Sequence, residues 1–270
     1  MRGAMQDYRA YHTAELAELY DVVYADRDDL GFWQALAAGA GEGQLLELAC
    51  GTGRILVPLA RAGHEITGLD LSAHMLDRCR VKLAAEADEV RERVRLVQAD
   101  LTSFDLGRRF ALVTSPFRGF QHLRTVEQQL ACLGRCHAHL RPGGKLVLDL
   151  FNPDPALLYA HDDGEPRDGE DTAETVAWTE GRSVRWWGTV VDYRRSLQTN
   201  ECEMTYEIGA PGAAAYRLTE QFPMRYLFRY ELEHLLSRAG FRVVALYGDY
   251  DRSPFADDSP ELIAVAEAVD

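Results

Sequence analysis

Five short apolar runs separated by longer amphipathic stretches fill the first 155 residues, and this alternation restricts the fold more than any other feature. LLEL (45–48), HEITGLD (64–70), VRLVQAD (94–100), FALVTS (110–115) and GKLVLDLF (144–151) predict strands. Residues 53–63, 73–87 and 125–140 repeat apolar positions at three- and four-residue spacing and predict helices. Strands joined through helices run parallel, and a parallel sheet needs cover on both faces, so a doubly wound, mostly parallel α/β sheet is expected. The LRPGGK turn (140–145) should stop the last of these helices and launch the next strand.

Further along, HDDGEPRDGEDTAET (161–175) is acidic and poor in apolar side chains, which predicts a loop. The period then changes. SVRWWGTVVDYRR, ECEMTYEIG and AYRLTEQFPMRYLF are β-branched and aromatic with partial two-residue alternation, the pattern of antiparallel strands. YELEHLLSRAGF (230–241) predicts a helix closed by Gly240, and FRVVALYGDY and ELIAVAEA predict two more strands. The expected organisation is a core of residues 1–155 and 226–270, with 1–40 as a helical N-terminal cover, and an inserted antiparallel lid over 156–225. No internal repeat of solenoid or propeller type is present.

With 29 Lys+Arg against 43 Asp+Glu, the 270-residue chain carries a formal charge of −14. Grip on a phosphate backbone rests on clustered Lys and Arg, so nucleic acid is not an expected partner. The start, MRGAMQDYRAYHTAELAELY, has charges and tyrosines where a signal peptide carries an apolar stretch, and no apolar run approaches the roughly 20 residues that span a bilayer. Five scattered cysteines read as reduced thiols, so a cytoplasmic protein without membrane attachment is expected.

The chemistry concentrates in LLELACGTG (45–53), a strand running into a glycine turn and then a helix. Gly51 and Gly53 let the backbone turn sharply and let a ligand approach it closely. The second strand ends in Asp70, placed to accept hydrogen bonds from a ribose diol. A dinucleotide fingerprint would need a third glycine at position 56, where this chain has Leu56. A nucleoside ligand without phosphates does not call for that third glycine.

On these residues the sequence resembles the class I S-adenosylmethionine-dependent methyltransferases, small-molecule type. ELACGTGR resembles the family's first motif, GLDLSAHML its second strand and the S-x-x-M-L that follows, QADLTSFDL its third-strand acidic motif, and HLRPGGKLVLDLF the segment along its fifth strand. The resemblance implies a seven-stranded Rossmann-like sheet and S-adenosyl-L-methionine as cofactor. It implies that Glu47 to Gly53, with backbone groups of Ala49 and Gly51, line the methionine part. Asp70 would hold the ribose hydroxyls, Leu71 and Met75 would pack on the adenine side, and Asp100 would face the adenine amino group with Leu101 beside it. Core packing is the competing reading for Met75 and Leu101.

Methyl transfer from a sulfonium is an in-line displacement, in which orientation alone can supply roughly 7–11 kcal/mol. Groups acting on the acceptor are expected in TSPFRGFQHLRT (114–125), outside the carboxyl end of the sheet. His122 is the candidate general base, because its ordinary pKa leaves it largely neutral at pH 7, although capping the following helix would also account for it. Pro116, at the strand tip, is expected beside the cofactor, and Arg118 is expected to pair with an acceptor carboxylate or with a surface acid. Tyr20 and Tyr24 share a helix face, and the resemblance implies that they cover the cofactor, where a ring face favours a sulfonium; anchoring of the helix to the sheet is the competing reading.

No metal is expected. Cys132, Cys136 and His139 share a helix face but lack a fourth ligand, and Asp149, Asn152 and Asp154 have no distinctive spacing. No Asn/Asp-Pro-Pro-Tyr/Phe follows the fourth strand and no Pro-Cys pair occurs, which argues against methylation of nucleic-acid bases. The expected acceptor is a small molecule, with an amine preferred, and the expected assembly a monomer or homodimer. Trp178, Trp186, Trp187, Tyr193 and Tyr206 of the lid are candidates for acceptor contacts. The rival readings are cyclisation of the cofactor's aminocarboxypropyl chain, an RNA or protein methyltransferase using Arg182, Arg185, Arg194 and Arg195, and a non-catalytic binding module.

Overall fold

Eleven strands and seven α-helices account for the regular structure of the computed structural model, which describes residues 11–154, 158 and 169–269. The strands are β1 (Leu45–Leu48), β2 (Ile66–Asp70), β3 (Val94–Gln98), β4 (Phe110–Ser115), β5 (Leu140–Phe151), β6 (Glu174–Ala177), β7 (Ser183–Arg194), β8 (Thr199–Gly209), β9 (Tyr216–Arg225), β10 (Phe241–Tyr247) and β11 (Glu261–Ala268). The helices are α1 (Ala14–Val23), α2 (Leu30–Gly39), α3 (Leu56–Arg61), α4 (Ala73–Ala84), α5 (Asp88–Arg91), α6 (Val126–His139) and α7 (Arg229–Arg238).

Seven strands form one sheet in the order β10-β11-β5-β4-β1-β2-β3, and β6-β7-β8-β9 form an antiparallel four-stranded sheet. In the large sheet, β3, β2, β1, β4 and β5 pair in parallel, while β11 runs antiparallel to both β5 and β10. The all-apolar or nearly apolar runs sit at its centre, and every residue of β1, β2 and β4 is buried. One face packs Leu46, Leu48, Val113 and Leu148 against Cys132 and Leu133 of α6 and Leu232 and Leu236 of α7. The other packs Leu45, Ile66, Leu112 and Val147 against Phe32 and Trp33 of α2, Leu56 and Leu59 of α3, and Leu76 and Cys79 of α4. Adjacent residues of one strand feed opposite layers, as period-two side-chain alternation requires.

Helix starts follow their caps. The Thr13 side chain accepts from Leu16 N–H, Ser72 accepts from Met75 N–H, and Thr125 and Gln128 form a reciprocal capping box at α6. The helix expected at 53–63 shortens to Leu56–Arg61, because Gly51 and Gly53 adopt φ +54° and +78°, outside the right-handed helical region. The stretch 73–87 likewise ends as a helix at Ala84. The turn at 140–145 joins β5 as an irregular start, with a register shift between Phe110 and Leu112 on its partner. The acidic stretch 161–175 contributes the 3-10 turn Gly169–Thr172 and the first residues of β6, a short edge strand; residues 161–168 lie outside the described residues, as do 1–10 of the N-terminal cover. Among the described residues no helix is long and apolar enough to cross a membrane.

The carboxyl ends of β4 and β5 rest on a buried network of charges that fixes the backbone beside the large cavity. Phe117 and Arg118 both take left-handed conformations, with φ +48° and +67°. Phe117 N–H donates to Asp149 Oδ2 at 2.7 Å, Arg118 N–H donates to the Asp149 carbonyl at 3.1 Å, and Tyr250 OH donates to Asp149 Oδ2 at 3.1 Å. Arg118 pairs with Glu261 at 3.1 Å, Arg54 forks onto Asp29 at 2.5 and 2.7 Å, and the Arg27 guanidinium lies 4.3 Å from the Phe117 ring centroid. Burial, with Glu261 repulsion added, pushes the Asp149 carboxyl up to about 7.

An acid whose folded pKa exceeds its unfolded value takes up a proton on folding, so stability falls as pH rises between the two, here from about 4 to about 7. Replacing Asp149→Asn is expected to remove up to about 1.4 kcal/mol per pH unit from that decline. Urea unfolding of both proteins across this window checks it; parallel pH profiles would reject the assignment.

Candidate active site

The end of β1 leads into a turn that is possible only with unusual backbone torsions. Ala49, Gly51 and Gly53 have φ of +51°, +54° and +78°. A non-glycine residue in this region is strained, and Ala49 is held there by its surroundings. A Cβ added to Gly119 would lie 2.7 Å from Ala49 Cβ, so the missing side chain of Gly119 makes room for the Ala49 methyl. A Cβ on Gly51 would meet Met75 Cε at 3.3 Å, whereas one on Gly53 would meet Cys79 Sγ at 2.5 Å. Gly53 therefore serves the packing of the turn on α4. It lines a separate shallow cleft with Asp21, Arg54 and Lys82 and neither of the two cavities described next. At position 56, where a dinucleotide fingerprint has its third glycine, Leu56 packs onto Gly68 of β2, where a Cβ would come within 2.4 Å of Leu56 Cδ1. Close helix–strand contact is kept by moving the glycine to the strand.

Beyond this turn, between the carboxyl end of the large sheet and the inner face of the small one, lies a cavity of about 300 Å³. Its walls include Tyr20, Tyr24, Glu47, Ala49, Gly51, Asp70, Met75, Pro116, Arg118 and His122. A smaller cavity of about 80 Å³ shares Ala49, Asp70 and His122 with it and adds Leu71, Asp100 and Leu101. Of the residues assigned to the cofactor or to catalysis from the sequence, all those named here line one or both of these cavities, whereas Gly53 lines neither.

Asp70 accepts from Gly51 N–H through Oδ2 and from Ser72 N–H through Oδ1, both at 2.8 Å. Each carboxylate oxygen has a second lone pair for a ligand. Burial raises the Asp70 pKa to about 6 against the opposing pull of these N–H donors. Glu47 is deeper still. Burial raises its pKa to about 8, with Asp29 and Asp70 adding and Arg54 opposing, and its Oε2 is buried without a partner among the described residues. Asp100 Oδ1 accepts from the backbone and hydroxyl of Thr102 at 2.8 and 2.7 Å.

The Tyr20 and Tyr24 rings lie 4.9 Å apart, and Tyr24 also packs on Phe117 at 4.8 Å and on Trp186 of the small sheet at 5.7 Å. Helix α1 is fastened over the turn by Asp21, which accepts from Thr52 Oγ1 at 2.6 Å and from Lys82 Nζ and Arg78 Nε at 2.8 Å. His122 sits in the wall common to both cavities, 5.5 Å from the Phe222 ring, and a ring N–H donates to the Pro223 carbonyl. Burial pushes its pKa down to about 4, so the ring is neutral at physiological pH. The neighbouring Gln121 is fully buried; its amide donates to the Arg225 carbonyl at 3.2 Å and accepts from Phe151 N–H at 3.0 Å, clamping the His122 turn to both sheets.

Not every residue considered in the sequence faces these cavities. The lid aromatics Trp178, Trp186, Trp187, Tyr193 and Tyr206 do not line the cavity; Tyr206 instead donates to Glu220 at 2.9 Å inside the lid packing, and Trp178 carries the Arg182 guanidinium at 3.8 Å. Arg118 reaches the cavity but is paired with the chain's own Glu261. Cys132, Cys136 and His139 are buried, His139 Nε2 accepts from Leu106 N–H at 3.0 Å and Nδ1 meets the Arg135 carbonyl at 2.7 Å, and no metal-ligating cluster occurs among the described residues. Asp21, Asp29, Phe117, Gln121 and Glu261 escaped sequence reading, since each acts through a partner distant in sequence. Phe117 and Gln121, within 114–125, and Arg54, directly after the glycine motif, nevertheless stood in stretches that the sequence marked.

Comparison with known proteins agrees with this geometry. A family profile described as "Methyltransferase domain" matches residues 45–144. The chain is 28% identical over 245 residues, 86% of its length and 92% of the relative's, to a dTDP-3-amino-3,4,6-trideoxy-alpha-D-glucopyranose N,N-dimethyltransferase of Streptomyces venezuelae. It is 27% identical to a glycine/sarcosine N-methyltransferase of Halorhodospira halochloris, covering 94% and 91% of the two chains. Among solved structures, the CcbJ methyltransferase from Streptomyces caelestis superposes with a TM-score of 0.72 at 26% identity over 94% of this chain and 96% of that one. Streptomyces venezuelae DesVI gives 0.73 at 25% identity over 94% and 98%. The glycine turn, the acid at the end of β2, the strand order and these likenesses agree: the chain is a class I S-adenosylmethionine-dependent methyltransferase.

Proposed function

We propose that this enzyme methylates an amine nitrogen of a small molecule held between the carboxyl end of the large sheet and the inner face of the small one. The observation that carries the reading is a cavity, with a smaller one beside it, whose walls bring the glycine turn and Asp70 together with a histidine held neutral by burial. The similarity to amino-sugar and amino-acid N-methyltransferases supports it.

The residues fit the cofactor. The buried, unpartnered Glu47 Oε2 is placed to accept from an α-ammonium, and the side-chain-free Gly51 admits close backbone approach. Asp70 would take the ribose hydroxyls on its second lone pairs, Asp100 the adenine amino group, and Leu71, Met75 and Leu101 the flanks of the base. Tyr20, Tyr24 and Pro116 would close the methionine side. S-adenosylmethionine bound there supplies an electrophilic methyl group on a sulfonium.

What remains for the protein is to deliver an unprotonated nitrogen along the methyl–sulfur axis. An alkylammonium has a pKa of about 10, so handing its proton to a histidine near 4 would be uphill by about 8 kcal/mol. His122 is therefore a poor proton reservoir and a good neutral acceptor. It orients the amine through an N–H···N hydrogen bond, while transfer of the amine into a desolvated cavity lowers the cost of losing its proton to solvent. Neutrality of His122 is held by burial, so the rate should follow ionisation of the acceptor and not of this ring.

The lid arginines support a small acceptor. Arg185 pairs with Glu170 at 2.6 Å and Arg194 with Asp192 at 2.9 Å, at opposite ends of β7, and Arg195 Nε donates to the Leu158 carbonyl at 3.1 Å. They form no continuous basic track for a phosphate backbone.

Incubation with isotope-labelled cofactor and a panel of small amines, read by product mass spectrometry, is expected to yield singly or doubly methylated amines. A cyclised cofactor fragment, or label only in RNA or protein, would overturn the reading. Asp70→Asn should weaken cofactor binding by about 1–3 kcal/mol, roughly 5- to 150-fold by calorimetry; unchanged affinity would remove Asp70 from the ribose role. His122→Ala should lower kcat by about tenfold or more with cofactor affinity unchanged. The wild-type kcat/KM profile should rise with pH in step with the acceptor's own pKa, and an inflection near 4 as the dominant one would favour a proton-accepting role instead.

A further inference from the structure

The cavity is chemically two-sided, and the side that faces the acceptor has an apolar wall. Strands β7, β8 and β9 present alternate residues to it, in the cross-strand register Val190↔Cys202↔Phe222 and Gly188↔Met204. Among the described residues, Gly188, Thr189, Val190, Cys202, Glu203, Met204, Phe222 and Met224 line the cavity from this face; strand alternation turns the side chains of Val190, Cys202, Met204, Phe222 and Met224 inward, with Gly188 leaving room for Met204. The Cys202 thiol is pushed up to about 12 by burial and stays a small, uncharged filler. The side chains of Thr189 and Glu203 turn away from the cavity. Thr189 accepts from Gly169 N–H at 3.1 Å and Glu203 accepts from Gln221 at 2.6 Å, both on the opposite face of the sheet. Glu220 shares the inner face but lies outside the lining, accepting from Tyr11 N–H at 2.7 Å and Tyr206 OH at 2.9 Å. Phe117 and Phe151 extend the apolar surface onto the core side, where Tyr24, Arg118 and His122 are among the polar groups.

We infer that the acceptor is an amphiphilic amine whose body is hydrocarbon, aromatic or extensively deoxygenated on the face it turns to the lid, with its nitrogen directed to the core side. The inference rests on the N-methylation reading above and deepens it. A hydroxyl turned to this wall would lose its water and find no partner, at a cost of about tenfold or more in affinity for each one. A fully hydroxylated amine is thereby discriminated against by the lid, irrespective of how well its nitrogen reaches His122.

The test uses two ligands with the same ring and amine, cyclohexylamine and an inosamine bearing hydroxyls at its other carbons. Each is titrated by calorimetry into the full chain saturated with S-adenosylhomocysteine, so that binding is read without methyl transfer. Cyclohexylamine is expected to bind at least about tenfold tighter. Val190→Thr and Cys202→Ser, both nearly isosteric, should each narrow that preference severalfold while the thermal unfolding midpoint confirms folding. Equal or tighter binding of the inosamine, binding of neither ligand, or a preference untouched by both variants would overturn the inference. Selective binding of cyclohexylamine with no methylated product in the labelled-cofactor assay would instead overturn the N-methylation reading and leave the apolar lid wall standing.

Discussion

The hydrogen bond from Gly51 N–H to the Asp70 carboxylate joins the end of β1 to the end of β2, and the cavity is built outward from it. It holds the left-handed turn after β1 open, and with Ser72 N–H it fixes the carboxylate that lines both cavities. Ala49 can stay in a strained conformation because Gly119, at the tip of β4, leaves space for its methyl group. Helix α1 then closes over the turn through Asp21 and Thr52, and the lid packs on α1 through Met204 and Tyr206. Each layer depends on the one beneath.

Burial of acids runs through the whole site. Glu47, Asp70 and Asp149 have all been raised, to about 8, 6 and 7, with desolvation the largest cause in each case. Such an arrangement costs stability, and natural folds keep it where a ligand or a catalytic geometry repays the cost. Arg54 opposes part of that penalty at Glu47. The Asp149 network works differently: it anchors Phe117 and Arg118 in left-handed backbone and thereby sets the position of the Phe117 ring in the cavity wall.

The strands of the large sheet could be read from the chain nearly residue by residue. LLEL and FALVTS became β1 and β4 without change, because runs buried on both faces leave little freedom in where a strand begins. The helix after the glycine turn came out shorter, since a local apolar period does not report that two glycines have left the helical region. The aromatic lid residues show the same limit. Alternation marks Trp187 and Tyr206 as strand residues, but only the pairing of β7 with β8 and the docking of α1 and the 169–172 turn decide which face each one buries.

By itself the sequence determined the sheet, the glycine turn and the acids at the strand ends that line the cavities, because these are local patterns whose physical meaning survives without knowing the neighbours. Tertiary structure alone decided that Gly53 serves packing, that Leu56 finds its clearance at Gly68, that Arg118 is claimed by Glu261, and that burial keeps His122 neutral and the lid wall apolar. A pKa, an ion pair and a clearance each depend on what lies within a few ångströms, and those neighbours arrive from positions remote along the chain.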